Sequence, residues 1–138
     1  MSFLIDTDVA IHLRDGDSWV EEQVGQLQPP LFISAIGRIE LENGVWREPK
    51  WAELRRAALD GVLGFVTTLD FDGDAIAAYR EILEAAGWSK RKTADRMTAA
   101  TALAHGLPLV TLNGRDFRDV PGLDLVEWVK PDSDHDQL

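Results

Sequence analysis

Acidic side chains stand at points along this chain where they can act together. Asp6 directly follows the apolar run Phe3-Leu4-Ile5, and Asp8 stands just beyond it. Glu40 falls in the second helical turn after the run Leu31-Phe32-Ile33. Asp95 opens the Ala-rich segment from Thr93 to Ala104. Asn113 ends the run Leu107 to Leu112, and Asp116 follows shortly after. Carboxylates sharing one cleft repel each other, so some must hold protons or a cation must neutralise them. The chain has no Cys and 3 scattered His. A hard, oxygen-preferring ion, Mg²⁺ or Mn²⁺, therefore suits the donors better than Zn²⁺. Such an ion can activate water and stabilise charge on a phosphate during hydrolysis. That chemistry needs no Cys, Ser or His nucleophile, and His12, His105 and His135 receive no role.

The same acids suit plainer tasks. Asp6 and Asp8 are good helix caps. Asp95 in a first turn complements the helix dipole. Asp116 is an ordinary turn residue. Glu40 lies four residues after Ile36 and beside Ile39, on or next to an apolar stripe. An acid there needs a partner.

The elements that must position these residues alternate. Phe3-Leu4-Ile5, Leu31-Phe32-Ile33, Gly64 to Thr67, Leu107 to Leu112 and Leu125 to Val129 read as strands. Helices are expected from Asp6-Thr7-Asp8 to about Leu13, from Trp19 to Leu27, and from Ser34 to about Trp46. Others are expected over Lys50 to Leu59, Asp72 to Ala86, and Thr93 to Ala104. In the Asp72 helix the spacing puts Ile76, Tyr79, Ile82 and Leu83 on one side. Asn113-Gly114 is a turn signal. Strands separated by helices predict an α/β fold with a parallel sheet covered on both faces. Open sheets of this kind bind ligands beyond the carboxyl ends of their strands, where these acids fall.

Size and charge narrow the options. The 138 residues suit one domain, read here as residues 1–131 followed by an acidic tail, 132–138. With 14 Lys+Arg against 24 Asp+Glu the net charge is −10, which excludes a basic nucleic-acid coat. Any RNA must be met by local patches or by metal ions. The absence of Cys removes disulfide scaffolds and thiolate zinc sites. No apolar run nears the roughly 20 residues of a membrane span, and Met1 to Ile5 is too short for a secretory signal. The expected compartment is the cytoplasm.

Four motifs resemble one family, in order and over nearly the whole chain. Leu4-Ile5-Asp6-Thr7-Asp8-Val9-Ala10-Ile11 is similar to the "LDTNVLI" opening of PIN-domain ribonucleases, and more narrowly of VapC-type toxins. The segment from Ile33-Ser34 through Glu40-Leu41 to Gly44 resembles their "S-x-x-x-x-x-EL-x-x-G" helix. Asp95 to Ala104 resembles "D-x-x-IAATALA", and Leu109 to Asn113 with Asp116-Phe117 resembles "LVTRN-x-x-DF". Three departures stand out: Asp8 replaces the commoner Asn, Thr98 the usual Ile, and Leu112 the usual Arg.

The resemblance implies a single PIN-like domain with a parallel five-stranded sheet between helices. It implies a metal site of Asp6, Glu40 and Asp95, with a fourth acid in the Asn113 to Asp116 segment. Asp116 is taken as that carboxylate, with Asn113 assisting as a neutral ligand or through water. These acids would hold Mg²⁺ or Mn²⁺ for hydrolysis of an RNA phosphodiester in transfer, ribosomal or messenger RNA. The dense basic cluster Lys90-Arg91-Lys92 with Arg96, and Arg115 beside Asp116, would hold substrate phosphates. The same cluster also reads as a solvated patch offsetting the acidic surface. The family further implies a cognate antitoxin docked near Trp46 and Trp51, a homodimer, and a larger toxin–antitoxin complex. Two other readings compete. A non-catalytic module would keep the pocket only for a partner. A phosphoacceptor receiver needs a late-strand Lys, which Leu112-Asn113-Gly114-Arg115 does not supply.

Overall fold

The computed structural model describes residues 2–131, so the expected acidic tail and His135 lie outside the described residues. Its five strands are β1 (Phe3–Ile5), β2 (Leu31–Ser34), β3 (Val66–Leu69), β4 (Leu109–Thr111) and β5 (Leu125–Glu127). They form one parallel sheet in the order β3-β2-β1-β4-β5. Successive strand residues face opposite sides, so each strand feeds two cores. Ile5, Leu31, Ile33, Val66 and Val110 face the core that includes Val9, Val20, Leu41 and Leu59. That side is covered by α1 (Thr7–Arg14), α2 (Ser18–Gly25), α3 (Ala35–Trp46) and α4 (Ala52–Leu63). Leu4 and Leu109 face the other core, beneath α5 (Gly73–Ala86) and α6 (Thr93–His105). The small residues Ala99, Ala100 and Ala102 let α6 lie close to its neighbours.

The strand order creates the crevice. The chain steps from β1 to β2 to β3 on one side, then places β4 on the other flank of β1. Connections leaving β1 and β4 part at this reversal, and a ligand crevice opens beyond their carboxyl ends. Asp6 follows β1 and Thr111 ends β4, so both stand at its floor. A receiver-type sheet runs 2-1-3-4-5. The observed order sets that alternative aside.

Several boundaries differ from expectation. A 3₁₀ turn, Pro49–Trp51, precedes α4, which continues to Leu63 instead of ending at Leu59. Burial of Val62 one turn beyond Leu59 carries the helix on, and β3 accordingly starts at Val66. In α5 the buried side is Ala75, Ala78, Tyr79 and Ile82, and Ile76 is exposed. Asn113-Gly114 opens a 3₁₀ turn, Gly114–Phe117, held by the buried Phe117.

Two contacts lock the acid-bearing helices together. Ser34 Oγ caps α3 by accepting from Gly37 N at 3.0 Å, and it lies 3.2 Å from Thr98 Oγ1 of α6. Both hydroxyls are buried, so each needs the other. Thr98, where an Ile was the family norm, is thus half of a cross-helix pair. Gly37 permits the second contact. A Cβ there would stand 2.9 Å from Thr7 Oγ1 and 3.0 Å from Ile33 Cγ1, so α3 reaches α1 this closely only with glycine.

Ser34→Ala removes a helix cap and strands the Thr98 hydroxyl. It should lower unfolding free energy by about 1–3 kcal/mol, read from urea denaturation. Thr98→Val leaves the cap intact and should cost less. The double variant should cost less than the two single losses added together.

Candidate active site

Asp6 is the deepest of the acids. It ends β1, caps α1 and is buried. Its Oδ1 accepts from Thr7 N at 2.8 Å, and its Oδ2 accepts from Thr111 Oγ1 at 2.8 Å. Thr111 Oγ1 in turn accepts from Asn113 N at 3.0 Å, which leaves its proton for Asp6. The same hydroxyl stands 3.4 Å from Asp8 Oδ2, while Leu112 N donates to Asp8 Oδ1 at 3.5 Å. Asp6 and Asp8 therefore share one polar cradle at the mouth of β4. Burial, then the charge of Asp8, pushes the Asp6 carboxyl up to about 8 against the donors from Thr111 and Thr7. Burial also raises Asp8.

Asp95 joins them from the first turn of α6. Burial and then the charges of Asp116, Glu40 and Asp8 push it up to about 6, while Arg91 pulls it down. Those causes identify its electrostatic neighbours: acids from α3, α1 and the turn after β4 reach one place. Glu40 projects from α3 at the exposed edge, and its Oε1 accepts from Thr7 Oγ1 at 2.7 Å. It flanks the buried stripe Gly37, Leu41 and Val45 and finds its partner on α1. Asp116 Oδ2 accepts from Asn113 Nδ2 at 2.5 Å. Asn113 thus orients Asp116. The turn carrying both is fastened to β5, where Glu127 accepts from Gly114 N and Arg118 Nη2, each at 3.1 Å. A side chain at Gly114 would run into that Glu127 carboxylate.

The basic cluster divides. Lys90, Arg91 and Arg115 are exposed. Arg96 is not part of that surface: it is 2% exposed, and its Nη2 donates to Asp119 Oδ2 at 3.0 Å. Its Nη1 donates to the carbonyl of Gly87. Arg96 begins the buried stripe of α6 with Ala99 and Ala100, and that stripe draws it inward. Lys92 Nζ is also held by Asp119 Oδ2, at 3.0 Å. Lys92 and Arg96 together keep the Asp119 carboxyl below the ordinary range.

Thr7 and Thr111 were not singled out from the sequence, and Asp8 was noted without a site role. The available signal was position: each lies within three residues of a strand end at the sheet reversal. Among the described residues no group of three or more His, Asp or Glu side chains is already arranged to hold a metal ion. The donor chemistry nevertheless fits one. Every acid at the crevice offers carboxylate oxygen, and burial, with mutual repulsion added, already raises Asp6 and Asp95. A hard divalent cation is the ligand that such a set favours.

Comparisons with known proteins agree with this fold. The PIN domain profile matches residues 3–123. The chain is 32% identical to Ribonuclease VapC1 of Rickettsia felis, over 91% of this chain and 96% of that protein. It is 28% identical to the tRNA(fMet)-specific endonuclease VapC of Shigella flexneri, over 93% of this chain and 98% of that protein. It is similar to the crystal structure of VapBC2 from Rickettsia felis bound to a DNA fragment from its promoter. That match has a TM-score of 0.82 and 26% identity, over 94% of this chain and 100% of the other.

The raised carboxyls make stability depend on pH. Below the ordinary aspartate value of 3.8, Asp6 and Asp95 are protonated in folded and unfolded chains alike. Above it only the folded chain keeps those protons, so stability is lost as pH rises through about 6 for Asp95 and about 8 for Asp6. Carboxyls held low, such as Asp17 at about 2, act only in more acid solution. In EDTA the melting temperature should therefore fall across roughly pH 4 to 8. Millimolar Mg²⁺ or Mn²⁺ should restore more at alkaline pH than at acid pH, because it binds the folded, deprotonated site. Calorimetry showing a rise with pH in EDTA would contradict this electrostatic account.

Proposed function

This chain belongs to the PIN domain family, and from that premise we propose that it is a divalent-cation-dependent endoribonuclease of the VapC type, the toxin of a toxin–antitoxin pair. The observation that carries the reading is the setting of Asp95, partly buried in the first turn of α6, with Asp116, Glu40 and Asp8 near enough for their charges to act on it. Asp6, Glu40, Asp95 and Asp116 would hold Mg²⁺ or Mn²⁺. When bound, the cation supplies an activated water and offsets charge on the phosphate oxygens. The chain's own residues do the positioning. Thr111 and Thr7 N each hold one Asp6 oxygen and so fix the orientation of the carboxyl. Thr7 Oγ1 fixes Glu40, and Asn113 fixes Asp116. Asn113 serves as the positioning group and Asp116 as the carboxylate donor. Asp8, close to Asp6, adds negative charge that the cation must answer.

Exposed Lys90, Arg91 and Arg115 flank the acids and would hold RNA phosphates on either side of the cut. Transfer RNA is the first substrate to test, because the Shigella relative is named for it. Among the described residues no helix is long and apolar enough to cross a membrane, and a cytoplasmic place agrees with an RNA substrate.

The antitoxin would use a separate face. Leu13, Val24, Ala58, Val62 and Phe65 line a cavity of about 390 Å³ between α1, α2 and α4. A neighbouring cavity of about 520 Å³ is lined by Trp51, Leu54 and Arg55. Trp46, Trp51, Leu54 and Phe65 are exposed along this side, as an apolar docking segment requires.

Two measurements test these assignments. Cleavage of total RNA should require Mg²⁺ or Mn²⁺, stop in EDTA, and fall by about 10²-fold or more in Asp95→Asn. The variant should be at least as stable as the parent without metal, since it removes a repelled charge. Discrete fragments that survive in EDTA would refute the mechanism. Leu54→Glu should weaken antitoxin binding by about ten- to a hundred-fold in calorimetry, with cleavage by the free protein retained.

A further inference from the structure

Trp88 is 75% exposed, which is unusual for the largest apolar side chain. It lies in the connection from α5 to α6, between Gly87 and Ser89. Gly87 has φ +81° and ends α5, turning the chain toward the first turn of α6. The backbone on both sides of Trp88 is then tied to α6. The Gly87 carbonyl accepts from the buried Arg96 guanidinium, and the Ser89 carbonyl accepts from Thr93 Oγ1 at 3.1 Å. Arg96 is fixed in turn by Asp119. The ring is thus displayed from a clamped backbone and stays exposed among the described residues.

Its surroundings indicate what it meets. Exposed Lys90 and Arg91 follow directly. Arg91 is near enough to Asp95 for its charge to act on that carboxyl. A solvent-facing indole on a braced backbone, beside cations one of which acts on Asp95, matches the physics of single-strand binding. There, bases stack on aromatic faces and cations track the backbone. A carboxylate-rich chain of net charge −10 gains little from general attraction to RNA, so a stacking contact contributes where charge does not.

We propose that Trp88 is a nucleobase-stacking platform that seats an unpaired base of the RNA next to the cleavage site, with Lys90 and Arg91 on the adjoining phosphates. The proposal rests on the ribonuclease reading above and adds a substrate feature to it: the strand must be unpaired at this point. Trp88 is a specificity-determining residue here and takes no part in proton transfer.

The test compares the full-length chain with Trp88→Ala and Trp88→Phe. Binding of a fluorescein-labelled single-stranded RNA 15-mer is followed by anisotropy in EDTA, where no cleavage occurs. Cleavage kinetics are then measured with Mn²⁺. Trp88→Ala should bind the single strand about ten- to a hundred-fold more weakly, and Trp88→Phe should recover most of the loss. The kinetic defect should lie in KM, and the tryptophan quenching that RNA causes in the parent should disappear in Trp88→Phe. Equal affinity and equal quenching in parent and variants would overturn the platform while leaving the nuclease standing. A parent that neither binds nor cleaves RNA would overturn the ribonuclease reading itself. A concentration-dependent change of oligomeric state in Trp88→Ala, on size-exclusion chromatography, would instead place the ring between copies of the chain and also overturn the proposal.

Discussion

Repulsion among carboxylates at the mouth of β1 and β4 is the constraint to which the rest of this structure responds. Asp6, Asp8, Glu40, Asp95 and Asp116 come from separate parts of the chain, and each raises or shares the charge problem of another. Left in water, five such acids would spread apart. The fold holds them by spending polar contacts on their outer sides: Thr111 and Thr7 N on Asp6, Thr7 Oγ1 on Glu40, and Asn113 on Asp116. None of these partners is charged. They fix geometry without neutralising anything, so the demand for a cation survives folding. A Lys or Arg among them would have quieted the repulsion and removed the reason to bind metal.

The cations of the chain are placed with the same economy. Arg96 and Lys92 converge on Asp119 away from the acids, and Arg118 is engaged by Glu127. These pairs tie down the two turns that border the crevice, the one before α6 and the one after β4. Arg96 carries most of the work, since it is buried and bridges Gly87 to Asp119, with its Nε left unpaired. A buried guanidinium is tolerated only when most of its donors are used. The exposed Lys90, Arg91 and Arg115 remain outside, where they can meet phosphate, and Arg91 offsets only part of the charge around Asp95.

Much of this was legible in the residues. Alternating apolar runs specified a parallel sheet, and the acids after β1 and β4 fall at its carboxyl edge, where such sheets open their crevices. At Asp6 helix capping and a contact across the sheet coexist: one oxygen accepts from Thr7 N of α1 while the other accepts from Thr111 at the end of β4. What was not legible depended on contacts across the sheet. Arg96 looked like a member of a basic cluster because charge is visible in sequence and burial is not. Its place on the Ala99–Ala100 face was the available sign. Ile76 failed for the reverse reason. Helical spacing permits two overlapping faces in α5, and only packing chose the one through Ala75 and Ile82. The role of Thr111 needed strand order, which sets β4 beside β1, and that of Thr7 needed the packing of α1 against α3.

The three departures from the family pattern acquire a common sense in this setting. Thr98 gives up apolar volume to pair with Ser34, joining the helix of Glu40 to the helix of Asp95. Leu112 removes a cation from the turn after β4 and packs toward the core beneath α1. Asp8 adds an anion beside Asp6. The last two changes act in the same direction, making the site more negative than the family norm. The rigid pair at Thr98 holds two acid-bearing helices against the added repulsion. Greater negative charge strengthens attraction for a divalent ion and weakens unaided attraction for RNA. Substrate capture then shifts to contacts that do not depend on net charge, and a clamped aromatic ring at the rim is a contact of that kind.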